Sequence, residues 1–248
     1  MADRIFFYVS PENIAGDEFV LDPDESHHFK RVLRKTTGTN IWLSNGRGIV
    51  YRALVEAVDG NAVSGTILRS YPGWGESPRE LHLALAILKR EGMELAVEKA
   101  VELGVKSIQP VITERCVRRT VNVDRLSRIV VAAAKQCGRS YFPAIKEPVA
   151  LASWVTRNRE SDGYVACHAE GAITLKQWDE SRSDKSRAVH VLVGPEGDFT
   201  PAEINLLKQH RIEIINLGQR RLRSETAALV SLAVLNELNS TPLTEEKE

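Results

Sequence analysis

No run in this 248-residue sequence approaches the roughly twenty consecutive apolar residues of a membrane-crossing helix. The opening Met1-Ala2-Asp3-Arg4 lacks the build of a secretory leader. No membrane span and no secretion are expected. Cysteine is scarce. Cys116, Cys137 and Cys167 form an odd, widely spaced set, which fits neither a disulfide framework nor a metal site. Reduced thiols in a cytoplasmic protein, without a metal, are the expectation. Net charge is absent as well, with 33 basic against 33 acidic residues, so any surface for nucleic acid has to come from local clustering. There is no G-x-G-x-x-G after a first strand with an acid about 20 residues on, which argues against NAD or FAD. Internal repeats and low-complexity tracts are also missing. The length allows one large domain or two small ones, with enough chain for a real core.

Residues 1–70 read as mostly β. Arg4–Val9, Asn40–Leu43, Gly48–Val58 and Ala62–Leu68 are strand candidates, separated by the turn signals Asn45-Gly46 and Asp59-Gly60-Asn61. So many short strands suggest a small barrel. A helix over about Glu25–Arg34 interrupts them. Phe29, Val32 and Leu33 fall at helical spacing and should face the core, leaving Lys30, Arg31, Arg34 and Lys35 on the surface. That face is either merely solvated or a phosphate-contacting patch.

Ser70–Pro78 is rich in proline and glycine without apolar period, and is the best domain boundary. From Glu80 strands and helices alternate, which argues a parallel sheet with crossover helices. Leu81–Leu88 and Val105–Ile112 are strands. Between them Met93, Ala96, Val97, Ala100 and Val101 form a helical stripe ending at Gly104. Its other face carries Glu91, Glu94, Glu98 and Glu102. No histidine joins these carboxylates, so a solvated acidic face is preferred to a metal site.

The segment 113–139 is locally basic, with Arg115, Arg118, Arg119, Arg125, Arg128, Lys135 and Arg139 against Glu114 and Asp124. Asp124 can cap a helix with the apolar stripe Leu126, Ile129, Val130, Ala133 and Cys137. Arg125, Arg128 and Lys135 then share the opposite side. Either this is a charged solvent face or it is the best surface for a nucleic-acid backbone. Residues 150–159 read as helical. Gly163–Cys167 is a strand ending in the polar loop His168-Ala169-Glu170-Gly171, where His168 is either a general base or a structural hydrogen-bonder. Residues 179–187 read as a solvated linker.

The most informative stretch is Ala188–Leu229. Val189–Val193 is a buried-strand pattern that stops at Gly194-Pro195-Glu196-Gly197-Asp198-Phe199. Thr200, Pro201 and Glu203 then spell a capping box and helix start. A second strand, Ile212–Leu217, breaks at Gly218, and Gln219–Arg223 leads through Ser224-Glu225-Thr226 into an Ala/Leu-rich helix. In a parallel sheet such strand-end loops bind ligands, and helix N-termini attract anionic groups.

GPEG at 194–197, followed by Leu217, Gly218, Arg220, Leu222, Arg223, Glu225 and Thr226 in the pattern LGxRxLRxET, resembles the RsmE-type uridine-N3 methyltransferases of 16S ribosomal RNA. These belong to the SPOUT superfamily of knotted, S-adenosylmethionine-dependent enzymes. Glu102–Val105, Glu114–Cys116 and Gln136–Arg139 also match family signatures. His28…Arg31-Val32-Leu33-Arg34…Gly38 is similar to the family's PUA-like domain, which favours the phosphate patch.

The resemblance implies an α/β fold. A PUA-like RNA-binding β-barrel over 1–72 would precede a trefoil-knotted parallel sheet with helices on both faces over 76–240, and 241–248 would be a disordered tail. It implies S-adenosyl-L-methionine bound in a bent form by His168, Gly194, Pro195, Glu196, Gly197, Leu217, Gly218, Leu222, Arg223 and Thr226. It implies RNA contacts from Arg4, His28, Arg31, Arg34, Arg115, Arg125, Arg128, Lys135 and Arg139. A homodimer acting on 16S rRNA in the small ribosomal subunit is expected.

For N3 methylation the imide proton must leave, so a base or a cation beside the developing anion is needed. Arg223 is the candidate cation. Glu225 is a candidate base, or else pairs with Arg223 or caps the last helix. That helix carries an apolar surface that packs either internally or against a second subunit. One departure from the family pattern is Asp198, where glycine is usual. The alternatives are a SPOUT enzyme for another nucleotide and a non-catalytic RNA-binding factor.

Overall fold

A computed structural model of the chain describes residues 5–60, 62–157, 162–183 and 188–238. They divide into two compact units, one from Met1–Glu76 and Val130–Phe142, the other from Ser77–Ile129 and Pro143–Glu248.

The first unit holds β1 (Phe6–Tyr8), β2 (Ile14–Ala15), β3 (Glu18–Val20), β4 (Asn40–Ser44), β5 (Ile49–Asp59) and β6 (Ala62–Pro72), in the sheet order β1-β4-β5-β6-β3-β2. Among the described residues, only the β1–β4 pair is parallel within it. Inward residues alternate along the strands, so Phe7, Leu43, Ala53, Val55 and Val63 meet in one core with Phe19 and Phe29. Bulges near Ala53 and Ala57 bend the β5–β6 ribbon. At Gly65 a Cβ would lie 1.9 Å from the Leu54 carbonyl oxygen, so only glycine lets the two backbones approach this closely.

The expected helix over Glu25–Arg34 is α1 (Pro23–His27) followed by one π-helical turn, His28–Val32. Leu33 N–H bonds the His28 carbonyl at 3.0 Å, an i→i+5 step. That step breaks the 3.6-residue stripe. Phe29 is buried and Leu33 packs on the core, but Val32, expected inside, is 60% exposed. Residues 130–142, which the sequence reading groups with the second domain, pack in this first unit. Lys135 pairs with Glu25, a Cβ on Gly138 would sit 2.8 Å from the Phe6 ring, and the Phe142 and Tyr8 rings lie 5.4 Å apart.

The second unit contains β7 (Leu81–Ala86), α2 (Arg90–Glu102), β8 (Ser107–Ile112), the first half of α3 (Val123–Cys137), β9 (Ala144–Ile145), β10 (Val149–Ala150) and α4 (Leu151–Val155). It continues with β11 (Gly163–Cys167), β12 (Ile173–Thr174), α5 (Leu175–Ser181), β13 (Val189–Val193), α6 (Pro201–Gln209), β14 (Glu213–Asn216) and α7 (Ser224–Glu237). Its strands pair in parallel in the order β10-β8-β7-β13-β11-β14-β12, with β9 also on β8.

Ala84, Leu192, Ala166 and Ile214 stand in register across four strands. They share one core with Leu151, Trp154 and Val155 of α4 and Leu207 of α6. The alternate strand residues point to the opposite face, where α7 lies on β7 and β13 and packs with α2 and α5. Helices thus cover both faces, which is why the central strands read as unbroken apolar runs.

Asn122, not Asp124, caps α3, since its Oδ1 accepts from Arg125 N–H at 2.8 Å while Asp124 lies in the first turn. Residues 179–187 read as a solvated linker in sequence, yet α5 runs to Ser181. Asp179 is buried, with its carboxylate 2.7 Å from the buried Arg79 guanidinium. Residues 184–187 lie outside the described residues.

Candidate active site

Because β13, β11 and β14 are neighbours and parallel, the loops leaving their carboxyl ends lie side by side. Between them and the start of α2 opens a cleft of about 720 Å³, a size suited to a small-molecule ligand. The His168 amide bonds the Ile215 carbonyl at 2.9 Å. Asn216 Nδ2 donates to the Gly171 carbonyl at 2.8 Å. A Cβ on Gly171 would stand 2.3 Å from the Ile215 carbonyl carbon, so loop 168–171 is wedged against the end of β14.

Loop 194–199 is held from several sides. Thr200 and Glu203 form the expected capping box, with Glu203 N–H donating to Thr200 Oγ1 and Thr200 N–H to Glu203 Oε2. The other Glu203 oxygen accepts from Glu114 N–H at 2.8 Å. The Arg115 guanidinium donates to the Gly197 carbonyl at 2.9 Å, and Glu196 accepts from Lys89 N–H at 3.0 Å. Asp198 adopts φ +62°, a left-handed conformation that favours glycine. Its Oδ1 accepts from Phe199 N–H at 2.8 Å.

Loop 217–223 supplies Leu217, Gly218, Leu222 and Arg223 to the cleft, together with Arg220 and Arg221. Gly218 has φ +111°, with no protein atom within 4 Å of where a side chain would start. Arg223 is the N-cap residue of α7, but its side chain makes no capping bond and lies on the cleft. Glu225 follows in the first turn, its Oε2 3.6 Å from the position a Cβ on Gly92 would take.

Of the residues singled out for the cofactor, His168, Gly194, Pro195, Glu196, Leu217, Gly218, Leu222 and Arg223 line this one cleft. Gly197 instead faces Arg115, and Thr226 is exposed on α7 away from the lining. The start of α2 (Lys89, Glu91, Gly92 and Leu95) also lines the cleft and was missed. The only signal for it was that β7 ends there; its place beside β13 is a matter of strand order. Cys167 also lines the cleft, and burial pushes its thiol up to about 12, the Ser231 hydrogen bond acting in the other direction, which favours the protonated thiol there.

The basic residues separate into free and committed ones. Arg31, Arg34 and Arg128 are exposed. His28 is half-buried, edge-on to Phe7. Arg115 is bound to loop 194–199, and Arg125 clasps Glu94 at 2.6 and 2.9 Å. Hydrogen bonds from Arg125 and then Arg90 hold the Glu94 carboxyl down at about 2, so Glu94 is already paired. Lys135 is paired with Glu25. Arg139 is 2% exposed and bound to Glu76, which leaves it no surface for a phosphate. Arg4 lies outside the described residues.

Comparison with known proteins fits this layout. An RNA methyltransferase domain model matches residues 75–236, and an RNA methyltransferase PUA domain model matches 21–68. The ribosomal RNA small subunit methyltransferase E of Rickettsia conorii is 31% identical over 215 residues, 86% of this chain and 87% of its own. The chain belongs to the ribosomal RNA small subunit methyltransferase E family. A member from Neisseria gonorrhoeae, solved bound to S-adenosyl methionine, superposes with TM-score 0.86 at 29% identity, covering 95% of this chain and 98% of that one. A putative methyltransferase from Legionella pneumophila, in complex with the same cofactor, gives 0.84 at 32% identity over 96% and 98%. The PUA match lies within the first unit, and the methyltransferase match lies within the second apart from residues 75–76 and 130–142.

Proposed function

We propose that this chain methylates N3 of a uridine near the 3′ end of 16S ribosomal RNA, in the small ribosomal subunit, with S-adenosyl-L-methionine as donor. The observation that carries this reading is the single cleft in which the GPEG loop and the LGxRxLRxET loop meet, with Arg223 and Glu225 at its edge.

The residues present fit the donor. Apolar walls from Leu95, Val193, Leu217 and Leu222 suit a nucleoside and a thioether-like chain, and Gly218, with no protein atom near where a side chain would start, leaves room for close backbone approach. When bound, the cofactor supplies an electrophilic methyl group on sulfur. The protein's part is to align the acceptor and to stabilise charge. Arg223 donates to a uracil carbonyl oxygen and steadies the anion that forms as the imide proton leaves. Glu225, in the first turn of α7, accepts that proton. Exposed Arg31 and Arg34 on the PUA domain, with exposed Arg118, Arg119 and Arg128 on the methyltransferase domain, hold RNA phosphates. Mapping methylated uridines in rRNA from cells lacking this protein tests the proposal. Loss of one N3-methyluridine near the 3′ end is expected, and an unchanged pattern refutes it.

The same reading includes a cytoplasmic homodimer and a knotted path. No disulfide joins Cys116, Cys137 and Cys167, which supports a reducing compartment. Exposed Leu95 and Ala233, with half-buried Leu229, Val230 and Val234, give α2 and α7 an apolar strip for a second copy. The wedge of Gly171 against β14 supports the threaded arrangement. Light scattering that returns a monomer mass would remove the dimer from the reading.

A further inference from the structure

Asp198 occupies a backbone conformation that costs an L-residue about 1–2 kcal/mol, and such positions persist only where surrounding contacts over-determine them. The compensating contacts here run in one line. The Asp198 amide bonds the Pro195 carbonyl at 2.9 Å, and Oδ1 takes Phe199 N–H at 2.8 Å. Oδ2 lies 3.4 Å from His168 Nε2. On the far side of the ring, His168 Nδ1 accepts from Glu170 N–H at 3.2 Å. With Nδ1 an acceptor, a neutral ring carries its proton on Nε2, facing Asp198. The His168 amide in turn holds the Ile215 carbonyl at 2.9 Å. One relay therefore links the ends of β13, β11 and β14. The ring is only 13% exposed, and both residues line the cleft.

We infer that Asp198 and His168 are a pair of positioning residues, a clasp that fixes loop 194–198 against loop 168–171 in the shape that receives the methyl donor. This rests on the reading of the cleft as the S-adenosylmethionine site. The strained backbone at Asp198 turns its carboxylate toward His168, and the ring, pinned by Glu170 N–H, cannot rotate away without losing a bond. A loop with glycine at this position would reach the same turn without strain but would have no side chain to join to His168.

The test is a double-substitution cycle on the full-length protein, Asp198→Asn, His168→Gln and both together. Asparagine tolerates the left-handed conformation and can still cap Phe199 N–H, so this variant removes the carboxylate and little else. Calorimetry with S-adenosylmethionine should show each single variant binding about fivefold more weakly, and the double variant no worse than either single, since one contact is lost in all three. Unchanged affinity in the singles, or effects that multiply in the double, overturns the clasp. Hydrogen–deuterium exchange of the cofactor-free proteins reads the clasp independently. Exchange at 196–199 should rise equally in all three variants, and unchanged exchange overturns the inference. If the unsubstituted protein takes up no donor while exchange still rises, the cofactor reading fails and the clasp stands. Asp198→Gly serves as a further variant free of backbone strain; it also loses the cap on Phe199 N–H, so exchange at 196–199 should rise at least as far as in Asp198→Asn, and a smaller rise overturns the inference.

Discussion

The Arg115 guanidinium bonds the carbonyl oxygens of Gly197 at 2.9 Å and Phe199 at 3.4 Å, so a residue from the loop after β8 props the loop after β13. Gly197 is matched to it, because a Cβ there would lie 3.1 Å from Arg115 Cβ. An arginine that sequence assigns to RNA is thus used in building the cleft. Arg115→Ala should weaken donor binding about fivefold, equivalent to about 1 kcal/mol, while thermal stability moves little. Calorimetry beside a melting curve checks both; RNA affinity falling with donor affinity intact would return Arg115 to the RNA surface.

Arg223 stands at the cleft with its side chain free of any capping bond. Arg223→Ala should lower kcat about 10²–10³-fold while the far-ultraviolet spectrum stays native. Arg223→Lys keeps the charge without the planar fork and should recover only part of that loss. Near-normal turnover in the alanine variant would discard the role.

Arg79 and Asp179 form an ion pair that is 2% and 0% exposed. Breaking it strands a buried charge, so Asp179→Ala should cost about 3–5 kcal/mol, whereas Arg79→Met with Asp179→Leu should restore most of the stability. Urea denaturation of the single and double variants makes the comparison.

Gly171→Ala places a methyl group against the backbone of Ile215, 2.3 Å away, where no side chain can yield. Destabilisation of about 1–3 kcal/mol is expected, with increased amide exchange at 168–171 and 215–216. A variant as stable as the parent would show that these two loops separate readily.

His190 is stacked between His82 and Tyr164, each ring 4.5 Å away. Burial first, and then the neighbouring His82, pull the His190 ring down to about 4, against the raising effect of Asp162. Above about pH 6.5 both folded and unfolded chains keep this ring neutral. Between about 6.5 and 4 only the unfolded chain takes up the proton, so stability falls by about 3 kcal/mol across that window and levels off below it. Burial lowers His82 in the same direction. Denaturation at a series of pH values should show the fall, and His190→Phe should flatten it; equal slopes in both proteins would refute the assignment.

The stripes and punctuation of the chain carried much of the architecture. Met93, Ala96, Val97, Ala100 and Val101 are buried as their spacing requires, and Thr200 with Glu203 is the capping box that its pattern spells. What escaped depends on partners distant in sequence or on rare backbone steps. Val32 points outward because a π-turn has no periodic signature. Asp179 reads as linker because a charged residue looks solvated until Arg79, a hundred positions away, is placed beside it. Lys89, Glu91 and Gly92 join the cleft only because β7 is the neighbour of β13, which no local pattern encodes. Arg139 looks like surface charge because Glu76 comes from another part of the chain.

That same adjacency has a bearing on how the protein is made. Val189 pairs with Leu81 and Val193 with Leu85, partners more than a hundred residues apart. On the ribosome β7 emerges early and can dock only on β8; its other edge stays open until β13 is synthesised. The wait leaves an apolar strand unprotected and makes the late closure slow, as for any sheet built from distant pairings. A nascent chain halted before residue 189 would present that edge to chaperones, and one extended past β14 would not.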